Sequence, residues 1–534
     1  TPPIKTESLS FNKDGNLSLG ERLVLSPLTE LIFRFIYGKG EKICPIKDEL
    51  LLESATSLAN KIRTRKVTAE HVMQVFIERV KEVNPKVNAV VANRYEEALK
   101  DAKQVDSLLD NSSIPEEFSQ EKCPFLGVPL SVKEAFATKD MPHTSGLISR
   151  QYRIADHDSP CVANLRKAGF IPFVSTNISE LCMWYESANH VYGRTKNAYN
   201  TSRIVGGSSG GEGCILSTGG SVAGVGSDIG GSIRMPAFFN GVYGHRPSKG
   251  IVCNDGQYPP ATKGQIELLS TGPMCRYSED LIPLLKTMAG KNADKLKLDQ
   301  KVDLKKLCIF TMEDDGGSLL ISKVDPELKE AQRKAVRYLE NIVGVKVTPV
   351  KIHRMKYGFD MWCAKIALAG GTSFSEFMGN EEYSVNGYLE AVKWIFGQSQ
   401  HTLPAILLSM IEKPSFLMEK NNNRLVGMLK KLEEDVQTLL GDDGILLYPT
   451  HPRIAPYHNQ PLFMPFNFAY TAVFNALALP VTQTPMGLSM DGLPMGIQIV
   501  GSANMDRQTI AVAKELESGA IAGWVPPSLQ ISSS

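Results

Sequence analysis

Charge of one sign is what this chain most lacks: 58 basic residues stand against 57 acidic ones, a formal net charge of +1 over 534 residues. So balanced a surface sets up no long-range field to concentrate a polyanion, and nucleic acid is not an expected partner. Cysteine is sparse and unpatterned. The nine cysteines form no C-x-x-C pair and their number is odd, which argues against a disulfide framework or a zinc ribbon and leaves buried free thiols as the expectation. The nine histidines show no H-E-x-x-H or other ligand spacing, so no metal is expected. Long apolar runs are missing too: no stretch reaches the roughly 18 residues of a membrane-spanning helix. The nearest, LSPLTELIFRFIY (25–37), is broken by Pro27, Glu30 and Arg34. It reads as an amphipathic helix that packs on the protein's own body or lies on a membrane surface.

What is present is enough apolar sequence, 43% of residues, to bury a large core. TAEHVMQVFIERVKEVNP (68–85) has helical period, with Val72, Val75, Phe76, Arg79 and Val80 on one side, Thr68 as N-cap and Pro85 as the expected stop. FLGVPLSVKEAF (125–136) instead alternates, which puts Lys133 on the side opposite the row Leu126, Val128, Leu130 and Val132. Strand signals at 168–176, 219–228, 306–312 and 345–351 are interleaved with helical ones such as 325–342. That alternation predicts an α/β fold around a central mixed, twisted sheet flanked by helices. No repeat or low-complexity linker divides the chain. The expected organisation is an N-terminal extension over 1–50, with an amphipathic helix and membrane contact, followed by one catalytic domain over 51–534. Because the first residue is threonine, a processed or truncated form is expected.

Two glycine-serine clusters, VGGSSGGEGC (205–214) and VGSDIGGSIR (225–234), fall inside apolar sequence, which rules against a linker. No lysine follows the glycines, so the phosphate-binding G-x-x-x-x-G-K-[ST] loop is absent. Ser208 and Ser209 both satisfy G-x-S-x-G, but that nucleophile elbow needs an apolar strand before the turn, and NAYNTSRIV is a poor one. A catalytic loop, in which backbone approaches a reacting atom, is the remaining reading.

The combined pattern G-G-S-S-G-G-E-G followed by D-I-G-G-S-I-R-M-P, with GVPLSVKE upstream, resembles the amidase signature family. The likeness runs from about residue 50 to 525 and includes STNISEL (175–181), YGRTKNAYN (192–200) and GLPMGIQIVG (492–501). It implies the amidase signature fold and a Ser, cis-Ser, Lys triad, with Ser232 as nucleophile, Ser208 as the bridging serine and Lys133 as base. It also implies an oxyanion hole at Ile229, Gly230, Gly231 and Ser232, and no cofactor. Asp228 and Arg234 are expected to hold that turn in place. The chemistry suits these residue types, because a serine hydroxyl is a weak nucleophile until a base takes its proton. For lysine to be that base, its reference pKa of about 10.4 has to fall by roughly 3, about 4 kcal/mol, which burial must supply.

Within the family, ELCMWYES (180–187) and PFNFAYTAVFNALALPVTQ (465–483) resemble the fatty-acid amide hydrolases. That likeness implies hydrolysis of long-chain fatty acid amides, N-acylethanolamines and primary fatty amides, to a fatty acid and an amine or ammonia. It further implies a homodimer associated with an intracellular endomembrane, anchored either ahead of residue 1 or through 25–37. AVKWIFGQSQHTLPAILLSMIEK (391–413) offers an acyl-chain channel or membrane-dipping cap. The expected substrate-binding residues are Met183, Trp184, Trp394, Phe396, Leu403, Ile406 and Leu407. The alternatives are an amidase-like component of a glutamine-dependent amidotransferase and a short-chain amidase or esterase.

Overall fold

The computed structural model describes residues 26–110, 115–318, 320–412 and 416–530. The first half of the expected N-terminal extension, 1–25, lies outside them. Among the described residues thirteen strands form: β1 (Val90–Asn93), β2 (Pro129–Lys133), β3 (Ile171–Thr176), β4 (Ala188–Asn189), β5 (Gly193–Arg194), β6 (Ala223–Asp228), β7 (Tyr243–Arg246), β8 (Ser270–Cys275), β9 (Cys308–Thr311), β10 (Val347–Pro349), β11 (Gly444–Pro449), β12 (Val481–Leu488) and β13 (Pro494–Gly501). Eleven of them make one sheet in the order β1-β3-β2-β6-β8-β7-β12-β13-β11-β9-β10, while β4 and β5 pair apart. The sheet is mixed, as the alternation of strand and helix signals predicts. β3, β2 and β6 run parallel, as do β11, β9 and β10, and the pairs between β6 and β11 are antiparallel.

Its central strands are covered on both faces: every residue of β2, β3, β6 and β8 is buried, polar ones such as Ser131, Lys133, Thr176 and Asp228 included. Three parallel strands bring their carboxyl ends together, and those ends are Lys133, Thr176 and Asp228. In open α/β sheets this is the edge where sites are built. The expected alternation of β2 holds, because Ser131 and Lys133, two apart, share one face.

The helix predicted from residue 68 runs Ala69–Val87, with the Thr68 side chain accepting from the His71 N–H. Pro85 does not stop it. The proline occupies the last turn, and the helix closes at Asn88, which is left-handed at φ 50° and returns its N–H to the Asn84 carbonyl. Arg79, on the helix's apolar side, is 3% exposed. Its guanidinium donates to the carbonyls of Thr218 (2.9 Å), Cys44 (2.9 Å) and Pro45 (3.1 Å) and pairs with Glu82 at 2.5 Å. Thr218 caps the helix Gly210–Ser217, so a buried cation completes the C-terminal end of the helix that follows the first serine cluster.

At the other end of the chain's described part, the segment 25–37 forms the helix Ser26–Tyr37. Phe33 packs edge-on against Phe463, whereas Leu31, Phe35 and Ile36 stay largely exposed. No helix among the described residues is long and apolar enough to cross a membrane.

Replacing Arg79 by Met keeps the bulk and removes the donors, leaving one buried carbonyl, of Thr218, and two half-buried ones, of Cys44 and Pro45, without their partner. The expected cost is about 3 kcal/mol, read as a lower thermal denaturation midpoint. An unchanged midpoint would show that water serves those carbonyls equally well.

Candidate active site

Lys133 ends β2 and is wholly buried. Its ammonium nitrogen meets two hydroxyls, Ser208 Oγ at 2.7 Å and Ser227 Oγ at 2.9 Å. Burial is the largest influence on it and pushes its pKa down from the ordinary lysine value, while Cys182, Asp228 and Glu212 pull the other way. Ser208 stands in the loop ahead of the helix Gly210–Ser217, and the Gly207–Ser208 peptide is cis. Ser187 fixes that loop on both flanks, donating to the Gly206 carbonyl (2.9 Å) and accepting from the Gly210 N–H (3.1 Å). No strand leads into the loop, so the geometry is unlike a nucleophile elbow.

Exposure rises along the three residues. Lys133 is 0% exposed, Ser208 1% and Ser232 8%, which makes Ser232 the one a substrate reaches. Ser232 follows β6 in the turn that leads to the helix Arg234–Phe239. The Asp228 carboxylate organises this turn. It accepts from the N–H groups of Gly231 (2.8 Å) and Ile233 (3.1 Å) and is forked by Arg234 at 3.0 and 2.9 Å. Burial alone would raise its pKa, but the Arg234 guanidinium overrides that and holds the carboxyl well below its usual range.

The carbonyls of the turn are taken one by one. Asn475 Nδ2 donates to Asp228 O (3.0 Å), Trp362 Nε1 to Ile229 O (2.8 Å) and Thr471 Oγ1 to Gly230 O (2.7 Å). The Met235 N–H takes Gly231 O (2.8 Å), and the Ser209 N–H takes Ser232 O (3.3 Å). In a planar trans peptide the N–H points away from the carbonyl, so tethering successive carbonyls on one side turns the N–H groups to the other. Among the described residues the N–H groups of Ile229, Gly230 and Ser232 donate to no protein acceptor. Gly231 is different. Its N–H is committed to Asp228, so this position of the expected oxyanion hole serves the turn itself. Its φ of +128° and the Thr471 hydroxyl packed where a Cβ would stand explain why glycine is required there.

A cleft of about 540 Å³ is walled by Met183, Trp184, Trp394 and Leu403, with Phe374 and Leu408, and on its polar side by Glu180, Glu186 and Arg194. Lys133, Ser208 and Ser232 do not line it, and Trp184, packed against Gly207, links it to the serine loop. Four of the seven expected substrate-binding residues therefore share one cavity. The other three do not line it: Ile406 is fully buried, whereas Phe396 (71% exposed) and Leu407 (44%) face outward. Helix Leu403–Ile411 is apolar almost throughout, so periodicity could not say which side faces the cleft. Sequence reasoning also missed Ser227, Trp362, Thr471 and Asn475. Ser227 stood within the quoted second cluster and Thr471 and Asn475 within the quoted stretch 465–483, but these two and Trp362 come from helices more than a hundred residues away from the turn they serve. No local signal marks them. Among the described residues no cluster of His, Cys, Asp or Glu could hold a metal ion.

A mixed sheet with a buried lysine facing a glycine-serine loop is the frame of an amide-hydrolysing enzyme, and likeness to known proteins gives that class. A scan against protein-family models matches the family described as Amidase over residues 71–510, and the chain belongs to that family. It is 50% identical over 491 residues to fatty-acid amide hydrolase 2-A of Danio rerio, covering 91% of this chain and 92% of that one. It is likewise 50% identical to fatty-acid amide hydrolase 2 of Homo sapiens over 488 residues, 90% and 92% of the two chains. A glutamyl-tRNA(Gln) amidotransferase component of Thermoanaerobacter pseudethanolicus is 26% identical over 491 residues, 88% of this chain and 96% of that one. Among solved structures, a fatty acid amide hydrolase superposes with a TM-score of 0.71 at 21% identity over 96% of this chain and 91% of that one, which speaks to the fold.

Trp362→Phe keeps the edge-on ring contact with Phe468 and removes the donor to Ile229 O. The expected result is a loss of up to about tenfold in the rate at which a fluorophosphonate labels Ser232, the worth of one hydrogen bond. Labelling at the wild-type rate would show that the turn keeps its shape without this tether.

Proposed function

We propose that this enzyme hydrolyses long-chain fatty acid amides through an acyl-enzyme formed on Ser232. The observation that carries the reading is a fully buried lysine amine 2.7 Å from the Ser208 hydroxyl. In this mechanism Lys133, held as the free amine by burial, accepts the Ser208 proton while Ser208 accepts that of Ser232. The Ser232 oxygen attacks the amide carbon, and the N–H groups of Ile229, Gly230 and Ser232 stabilise the oxyanion of the tetrahedral intermediate. Running the relay in reverse delivers a proton to the nitrogen, which then leaves as an amine or as ammonia. Water, deprotonated by the same relay, releases the fatty acid. The amine must be unprotonated to start the cycle, so activity is present above the lowered pKa of Lys133 and falls as pH drops through it.

Two considerations support the fatty amide as substrate. One is the 50% identity to relatives of that name, and the other is the aromatic and aliphatic part of the cleft wall, Trp184, Phe374, Trp394, Leu403 and Leu408, where each buried methylene of an acyl chain gains about 0.8 kcal/mol. The exposed residues Leu31, Phe35 and Ile36 of one helix, with Ile395, Phe396 and Ile411 around the cleft, suit contact with a lipid surface. We place the enzyme on an intracellular endomembrane, as a homodimer, with 51–534 as the catalytic unit and 1–50 as an extension that adds membrane contact. The amidotransferase-like reading keeps the same triad but puts glutamine in the site and gives the apolar part of the cleft no purpose.

Hydrolysis of a matched series from acetamide through oleamide to N-oleoylethanolamine, with Ser232→Ala as blank, tests the assignment. Rates should climb with chain length and vanish in the variant; preference for glutamine or acetamide would overturn the lipid reading and leave the triad standing. Lys133→Ala should slow amide turnover more than that of the matched ester, because only the amide needs its leaving group protonated. Equal losses would remove the lysine from that step.

A further inference from the structure

Behind Lys133 lies a second buried ionisable group that the mechanism above does not use. Glu212, in the first turn of the helix Gly210–Ser217, is fully buried, and its carboxyl rests on the same face of the sheet as Lys133. Ser131, two residues before Lys133 on β2, meets Oε2 at 2.6 Å. Thr176, the β3 residue paired with Lys133, meets Oε1 at 2.9 Å. On β6 the space is left open by Gly224, whose missing Cβ would fall on Oε2.

The partners of this carboxyl are unusually poor. Asp228 has an arginine and backbone N–H groups, and Glu134 accepts from two N–H groups (Thr144, 2.6 Å; Ser145, 2.9 Å) and two hydroxyls (Thr144, 2.7 Å; Tyr192, 2.9 Å). Glu212 has two hydroxyls only, no backbone N–H and no cation in hydrogen-bonding reach among the described residues. A bare carboxylate with so little solvation is costly to bury. The proton count resolves this. Ser131 has one hydroxyl proton and two acceptors around it, Glu212 Oε2 and the Ala223 carbonyl at 3.2 Å. Ser221 Oγ already donates to Ala223 O at 3.0 Å. With Oε2 protonated and donating to Ser131 Oγ, Ser131 adds a second bond to Ala223 O, every polar atom is paired and no bare charge is buried.

We propose that Glu212 is a neutral carboxylic acid that positions Lys133 without acting as its counter-ion. This rests on the reading of Lys133 as base. A carboxylate in this place would stabilise the ammonium and disarm the base, whereas a neutral acid fills the space, fixes β2 through Ser131 and leaves the amine free. Burial pushes the Glu212 pKa up to about 8, in keeping with the geometry. Among the described residues the ionisable group acting on Glu212 is Lys133, and Lys133 in turn feels Cys182, Asp228 and Glu212, with Asp228 already paired to Arg234.

The test compares Glu212→Gln and Glu212→Ala in the full chain. The infrared difference spectrum of wild type minus Glu212→Gln at neutral pH should show the carbonyl stretch of a protonated carboxylic acid; a carboxylate band would overturn the proposal regardless of what Lys133 does. Glu212→Ala should lower kcat by at least about tenfold with KM little changed. Glu212→Gln should recover most of that loss with the acid limb of its pH profile at the wild-type position. An acid limb moved down by a pH unit or more in Glu212→Gln would mean that the glutamate is a counter-ion, and the proposal would fall even if Glu212→Ala did not fold.

Discussion

A primary amine sealed at the carboxyl end of a buried strand, with hydroxyls as its hydrogen-bonding partners, is the constraint that the rest of this structure serves. An ammonium in that place forgoes most of its hydration and gains no carboxylate in exchange, so the balance moves toward the free amine. Keeping water out takes a thick sheet edge. β2 lies between two parallel neighbours, the helix Gly210–Ser217 covers one face, and the apolar row Leu130 and Val132 packs on the other.

The same economy of donors shapes the turn after β6. One carboxylate, Asp228, gathers the N–H of Gly231 and the guanidinium of Arg234, while five carbonyls in succession are claimed from outside the turn or by the helix that follows. In the proposed mechanism the turn's remaining N–H groups, which donate to no protein acceptor among the described residues, meet the developing negative charge with no reorganisation at the moment of reaction. Rigidity here comes from groups spread across the chain. Trp362, Thr471 and Asn475 belong to helices that pack on one another, so the catalytic turn is tied to the core of the second half of the sheet.

The α/β class and the mixed sheet were legible because strand and helix periods alternate cleanly. The strand order was not: β12 and β13 pair in the middle of the sheet although they are last in sequence, and only non-local packing decides that. Pro85 illustrates a limit of local rules. A proline in a last turn still forfeits its N–H bond to the residue four before, so it is core packing by the buried Val83 and Val87 that carries the helix through Pro85 to the left-handed Asn88. For the candidate site, Lys133, Ser208 and Ser232 could be picked out because they sit in long glycine-serine motifs, and their grouping needed the fold. The cleft was half legible. Met183, Trp184, Trp394 and Leu403 line it, but in a helix as uniformly apolar as Leu403–Ile411 no period separates the lining side from the buried Ile406 or the outward Leu407.

The central claim is that Lys133 is uncharged when the enzyme works. Its ε-carbon can be followed by ¹³C NMR in lysine-labelled protein, with the resonance assigned by its loss in Lys133→Met. The account predicts a resonance that titrates far below the ordinary lysine value of about 10.4, with the free amine dominant at neutral pH. A Lys133 resonance that titrates near that ordinary value would contradict it, since a protonated lysine has no capacity to accept the proton of Ser208.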